Sequence, residues 1–153
     1  VKIDAEVCDS GKVGIGVSFE DYSVAIDRRK ATAMEICGIF DEDEVSRVEP
    51  VSYIQQMNGH MMITVWMFGN KKIYSAMFEL QPDEAGDATP PGRTFFDVYR
   101  FKNIVDIRVD DFGCVISMRT GKKLELKSNT YEGSESFLNS AHGLVSLWDE
   151  YDD

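Results

Sequence analysis

The sequence predicts an α+β protein, mostly antiparallel β: two meanders forming a bent sheet, sandwich or partial barrel, followed by a C-terminal amphipathic helix. Three observations predict it. Residues 51–57, 60–68 and 72–80 are β-branched, aromatic and Met-rich runs separated by Asn58-Gly59 and Gly69-Asn70, dipeptides suited to the φ > 0 of tight hairpin turns. Runs at 104–109, 114–119 and 123–127 repeat the pattern around Asp110-Asp111-Phe112-Gly113 and Thr120-Gly121-Lys122. After Ser134, a predicted N-cap, Phe137, Leu138, Ala141, Leu144, Val145 and Trp148 recur at three- and four-residue steps, which makes one helical stripe. The 153 residues suit a single domain, 1–153, large enough to bury a core without disulfides.

Taken in chain order, residues 2–7 and 13–19 read as a hairpin over Asp9-Ser10-Gly11, with 22–26 as a third strand. Residues 28–40 fit a short helix or another strand, and the pattern leaves that open. Along 72–80, Tyr74, Ala76, Phe78 and Leu80 form the core face, opposite Ile73, Ser75, Met77 and Glu79. The central run 60–68 is apolar on nearly both faces, which suits a strand covered on both sides or one whose second face meets a partner. Pro82, Pro90, Pro91, Gly86 and Gly92 with Asp83, Glu84 and Asp87 make 81–94 an exposed loop. The aromatics of 95–101 favour a strand. Val105, Ile107 and Val109 are expected on one face, as are Leu124 and Leu126. In the final helix Glu135, Asn139, His142 and Ser146 lie outward, and Gly143, which costs up to ~1 kcal/mol relative to Ala, implies close packing on a sheet.

The formal charge of −11 sits in two stretches. Glu35, Asp41, Glu42, Asp43, Glu44 and Glu49 face only Arg47 across residues 31–70, and Glu132, Glu135, Asp149, Glu150, Asp152 and Asp153 face no base across 128–153. The remainder sums to zero. Clustered acids steer association with basic surfaces, and those at 149–153 occupy the end of the helix where the dipole is already negative. The expected partner-binding residues are therefore Asp41, Glu42, Asp43, Glu44, Asp149, Glu150, Asp152 and Asp153. The expected function is that of a non-enzymatic acidic binding module: a viral or bacterial inhibitor, immunity or phage counter-defence factor that occupies a partner protein's basic, nucleic-acid-binding surface.

Other functions carry weaker signals. Lys71-Lys72 and Lys122-Lys123 lie beside turns of the two meanders. If those turns share one end of the fold they form a basic patch for single-stranded nucleic acid, with Tyr74, Phe95, Phe96 and Tyr99 to stack on bases; edge lysines also simply discourage strand pairing between molecules, and nucleic acid is not the expected partner. The acidic aromatic tail, Trp148 to Asp153, is similar to tails of some single-strand-binding proteins. A homo-oligomer or virion component would use the Met61–Met67 strand. A small metal-dependent enzyme would need Asp97, Asp106, Asp110 and Asp111 to gather, but they match no cation-binding loop and read as a solvated turn. His60 and His142 have no nucleophile at a motif spacing, and Gly11-Lys12-Val13-Gly14-Ile15-Gly16 opens no helix, so it is not a phosphate loop. No catalytic residue, metal or cofactor is expected. Cys8, Cys37 and Cys114, far apart and odd in number, read as reduced thiols. With no secretory signal and no apolar run near the ~20 residues that span a bilayer, a cytoplasmic protein without membrane contact is expected.

Residues 101–148 carry a further pattern: Phe101-Lys102-Asn103-Ile104-Val105-Asp106-Ile107, a turn, Cys114-Val115-Ile116-Ser117-Met118, then Thr120-Gly121-Lys122-Lys123-Leu124-Glu125-Leu126 and an amphipathic helix. This resembles the C-terminal half of pleckstrin-homology-like domains, in which a bent antiparallel sheet is capped by a final helix. Phosphoinositide-binding members have a basic loop near the first hairpin, where this chain offers only Lys12. The resemblance therefore implies a protein-binding module more than a lipid-binding one.

Overall fold

From Ala25 to Glu35 the chain is dominated by Ala, Arg, Lys, Met and Glu, residues that lose little freedom in a helix. In the computed structural model, which describes residues 19–40, 48–57, 59–80 and 94–151, a 3₁₀ turn, Glu20–Tyr22, leads into α1, Ser23–Phe40. Ala25, Ile26, Arg29 and Ala33, spaced one, four and eight residues from the first, are buried, while Val24 and Met34 are exposed. The strand expected at 22–26 is thus corrected to helix, and the choice left open at 28–40 resolves the same way. The β-branched Val24 and Ile26 suggested a strand, but the helix formers that follow outweigh them. The hairpin expected over Asp9-Ser10-Gly11, the acids 41–44 and the loop 81–93 lie outside the described residues.

Four antiparallel strands form the first sheet in the order β1-β2-β3-β4: β1 Val51–Met57, β2 His60–Phe68, β3 Lys72–Leu80 and β4 Thr94–Arg100. Met57 pairs with His60 across the first hairpin, where Gly59 takes φ 81°, the left-handed value its turn requires. β4 is the strand expected from the aromatics, with Phe95 opposite Met77 and Tyr99 opposite Ile73.

Both faces of β1, β2 and β3 are buried over most of their length, whereas β4 is exposed or half-buried throughout. Ile54, Ile63, Val65, Met67, Tyr74, Ala76, Phe78 and Leu80 pack with Ala25, Ile26 and Ala33 of α1. On the other face Val51, Tyr53, Trp66, Phe68 and Ile73 share a core with the second sheet and the C-terminal helix. Ile73 and Ser75, expected outside the core, are therefore buried, because α1 takes up one face and the second sheet the other. The chain itself covers the apolar Met61–Met67 strand: Met62, Trp66 and Met67 are 5%, 6% and 1% exposed, so no second copy is needed to shield it. A buried side chain of this size contributes about 1.5–3 kcal/mol.

A second three-stranded antiparallel sheet follows: β5 Ile104–Asp110, β6 Gly113–Met118 and β7 Lys123–Lys127. Cys114, Ile116, Met118, Leu124 and Leu126 face the core, as their alternation requires. The register slips between Ile104, opposite Met118, and Asp106, opposite Ser117. Val105 is the extra residue of that bulge, is 58% exposed, and does not share the inward face of Ile107 and Val109.

α2, Ser134–Glu150, buries Phe137, Ala141, Leu144 and Leu147. Ser134 is its first helical residue; the N-cap is Gly133 at φ 99°, and no side chain caps the helix. The close approach expected at Gly143 is made to Val48, just ahead of β1: an added Cβ would lie 2.8 Å from Val48 Cγ2. Beside it Ser140 Oγ donates to Glu49 O at 2.8 Å. Two glycine substitutions separate close approach from open helix. Gly113→Ala would push a methyl into the Leu126 carbonyl on β7 and is expected to cost about 2 kcal/mol. Among the described residues Gly38→Ala meets no atom within 4 Å. It is expected to gain up to ~1 kcal/mol in urea denaturation, and equal shifts for the two variants would contradict this packing.

Candidate functional site

Three chain reversals meet at one end of the molecule through short backbone bonds. The β2–β3 turn is closed by Gly69 N–H donating to Lys72 O at 2.8 Å. Phe101 N–H donates to Lys71 O, also at 2.8 Å, which ties that turn to the 3₁₀ turn Phe101–Asn103 between the two sheets. The β6–β7 turn joins them: Arg119 N–H donates to Asn103 O at 2.6 Å, and Arg119 Nη2 to Lys102 O at 3.0 Å. Met118 N–H donates to Lys122 O at 2.8 Å, with Gly121 at φ 96° completing the reversal.

This gathering concentrates charge. Segments 69–72, 99–103 and 118–123 contribute Lys71, Lys72, Arg100, Lys102, Arg119, Lys122 and Lys123 and contain no acid. All are exposed except half-buried Lys72, which pairs directly with Arg100 across β3 and β4. The condition set by the sequence, that the turns of both meanders share one end, is met. Sequence reasoning singled out the two Lys-Lys pairs and missed Arg100, Lys102 and Arg119. Those three are single cations whose neighbours come from remote segments.

An aromatic ladder fixes this end to the core. Lys122 Nζ lies 5.4 Å from the centre of the Tyr99 ring, Tyr99 stacks on Trp66 with centroids 6.2 Å apart, and Trp66 Nε1–H donates to Tyr53 Oη at 2.8 Å. Burial pushes the Tyr53 hydroxyl up to about 12; the bond from Trp66 lowers it somewhat and the charge of Glu125 raises it. Of the four aromatics expected to stack on bases, Tyr74 is fully buried and pairs with Phe96, and Tyr99 is engaged by Trp66 and Lys122.

The acidic end of α2 reaches the same place. Asp149 and Glu150 are exposed in a last turn that contains no base. Tyr151, the C-cap, sets its ring edge-on to Phe101, centroids 5.8 Å apart at 90°. Asp152, Asp153 and Asp41, Glu42, Asp43 and Glu44 lie outside the described residues.

Other charged residues have local structural roles. Glu132 accepts from Ser52 N–H at 2.8 Å and Ser52 Oγ–H at 2.7 Å, and Lys30 Nζ of α1 lies 2.7 Å away. Lys30 also sits over Tyr131, whose hydroxyl is pushed up by burial and by the charge and hydrogen bond of Asp27. Glu132 therefore clamps α1 to β1 and is not part of a docking patch. Asp110 Oδ1 accepts from Phe112 and Gly113 N–H at 2.8 and 3.1 Å, which holds the β5–β6 turn. Asp97 and Asp106 stand on different sheets, and among the described residues no three His, Cys, Asp or Glu form a group able to hold a metal ion. His60 Nδ1 lies 2.8 Å from Glu79 at an exposed hairpin end, and His142 is exposed. Burial, and secondarily Asp110, raises the Cys114 thiol to about 11.

No family model matches the chain, and no curated protein matches it in sequence. No helix among the described residues is long and apolar enough to cross a membrane.

The raised Tyr53 and Cys114 values set an alkaline limit. The folded protein holds these protons where the unfolded chain, at 10.0 and 9.0, has released them. The contribution of these two groups to stability is thus full below pH 9 and is lost toward pH 12, with Tyr53 contributing on the order of 2 kcal/mol. Urea denaturation across that range is expected to show the decline, and a flat profile would contradict the buried hydroxyl.

Proposed function

We propose that this domain is a non-enzymatic binding module that engages the basic surface of a partner protein through its acidic segments. What carries the reading is the end of α2: Asp149 and Glu150 are exposed at the negative end of the helix dipole, with no base in the last turn. Such a placement does not stabilise its own helix, and both side chains are exposed to a basic surface on a partner. Asp152 and Asp153 continue the run, and Asp41 to Glu44 supply a second one.

The matching surface on a partner is rich in Lys and Arg, as nucleic-acid-binding surfaces are, and an inhibitor, immunity or counter-defence factor acting in the cytoplasm would work by occupying it. The resemblance of residues 101–148 to pleckstrin-homology-like domains likewise points to a protein ligand.

Charge reversal tests this on the complex recovered from the native host. Asp149→Lys with Glu150→Lys, and separately lysines at 41–44, are expected to weaken the isolated partner's binding at least about tenfold where the patch is used. Wild-type affinity is expected to fall as salt shortens the screening length from about 10 Å at 0.1 M toward 3 Å at 1 M. Affinity that is flat in salt and unmoved by either reversal would defeat the reading.

A further inference from the structure

We propose that the cationic end is a second, separate binding surface, which takes the phosphodiester backbone of nucleic acid without reading its bases. It differs from the acidic reading in both surface and ligand. Seven cations, Lys71, Lys72, Arg100, Lys102, Arg119, Lys122 and Lys123, come from three segments that contain no acid, on a chain whose formal charge is −11. Lys72 stands directly across from Arg100, which sets two cations side by side at this end of the first sheet.

Two of the cations are already positioned. Arg119 uses one guanidinium N–H on Lys102 O at 3.0 Å, which fixes the group and leaves other donors of its fork for a phosphate. Lys122 is held over Tyr99. Such preorganisation lowers the ordering cost of contact. Among the described residues no carboxylate forms a salt bridge with Arg100, Lys102, Arg119 or Lys123.

Phosphate fits this surface better than a carboxylate-bearing peptide. A nucleic-acid strand carries a condensed counterion layer, and each cation that replaces one gains the entropy of its release. Base stacking is no part of the proposal: Tyr74 is buried, Tyr99 is held between Trp66 and Lys122, and the exposed Phe95 stands at the end of β4 remote from Arg100. The Phe101–Tyr151 contact makes the end of α2 a neighbour of the patch. Asp149 and Glu150 therefore repel the same phosphates. Neutralising them should strengthen nucleic-acid binding while weakening a basic protein partner, so the two readings fail separately.

Fluorescence anisotropy of the full chain decides it, with end-labelled oligothymidylate, a mixed-sequence duplex and a labelled polyglutamate peptide as probes. The oligonucleotides are expected to bind at low salt, with log K falling against log salt by about 0.7 per phosphate contact for the single strand or 0.9 for the duplex. The tighter of the two names the natural form. Arg100→Gln and Lys102→Gln, both exposed, are each expected to lower that slope by about one contact and to weaken binding several-fold at unchanged thermal stability. Asp149→Asn with Glu150→Gln is expected to tighten binding about two- to five-fold at low salt. The proposal is overturned if the folded protein binds neither oligonucleotide at low salt, if polyglutamate binds as tightly, or if the Gln variants leave affinity and slope unchanged.

Discussion

Phe101 is the residue on which the arrangement of this molecule turns. It stands where the chain leaves the first sheet for the second, its ring in the core and its N–H bonded to Lys71 O. Burying that ring contributes about 2–3 kcal/mol, several times what an exposed ion pair supplies. Hydrophobic burial therefore sets the geometry, and the charges follow. Arg100 and Lys102 flank a buried residue and are held at the surface on either side of it. Tyr151 closes on the same ring and brings the acidic end of α2 to the cationic turns.

The first sheet gives Phe101 its setting. Because both of its faces are apolar, it needs a layer on each side, and the chain supplies α1 on one and the second sheet with α2 on the other. The α1 layer offers one large apolar side chain, Ile26, beside the small Ala25 and Ala33, and Arg29, whose guanidinium lies 5.9 Å from the centre of the Phe78 ring. A helix with so little apolar bulk gains from a polar fastening. Glu132, bridging Lys30 and Ser52, supplies one at the edge of β1. An acid that added to the net negative charge on paper is thereby committed to holding two elements together.

Local chemistry made most of the fold legible. The hairpins were encoded by Asn58-Gly59, Gly69-Asn70 and Thr120-Gly121-Lys122, and α2 by the three- and four-residue recurrence from Phe137 to Trp148. What escaped was decided by pairing at a distance. Val105 leaves its expected face because β5 slips against β6, which no pattern within β5 records. The outward face assigned to Ile73 and Ser75 was wrong because it depended on a second sheet that the strand's own alternation cannot reveal. At the N-terminal side, Val24 and Ile26 imitated a strand while Ala25, Arg29 and Ala33 set the helical face. The cationic end was half legible: Lys71-Lys72 and Lys122-Lys123 are visible as pairs, whereas Arg100, Lys102 and Arg119 join them only through backbone bonds between remote segments.

An acidic protein thus presents opposite charges side by side, joined through one buried aromatic residue. The geometry of that junction is the central claim, and it is independent of any ligand. Nuclear Overhauser contacts between the ring protons of Phe101 and Tyr151 in isotope-labelled protein measure it directly. With the centroids 5.8 Å apart and the rings perpendicular, cross-peaks between the two rings are expected. Well-resolved ring signals without such cross-peaks would place the end of α2 away from the cationic turns and contradict the account.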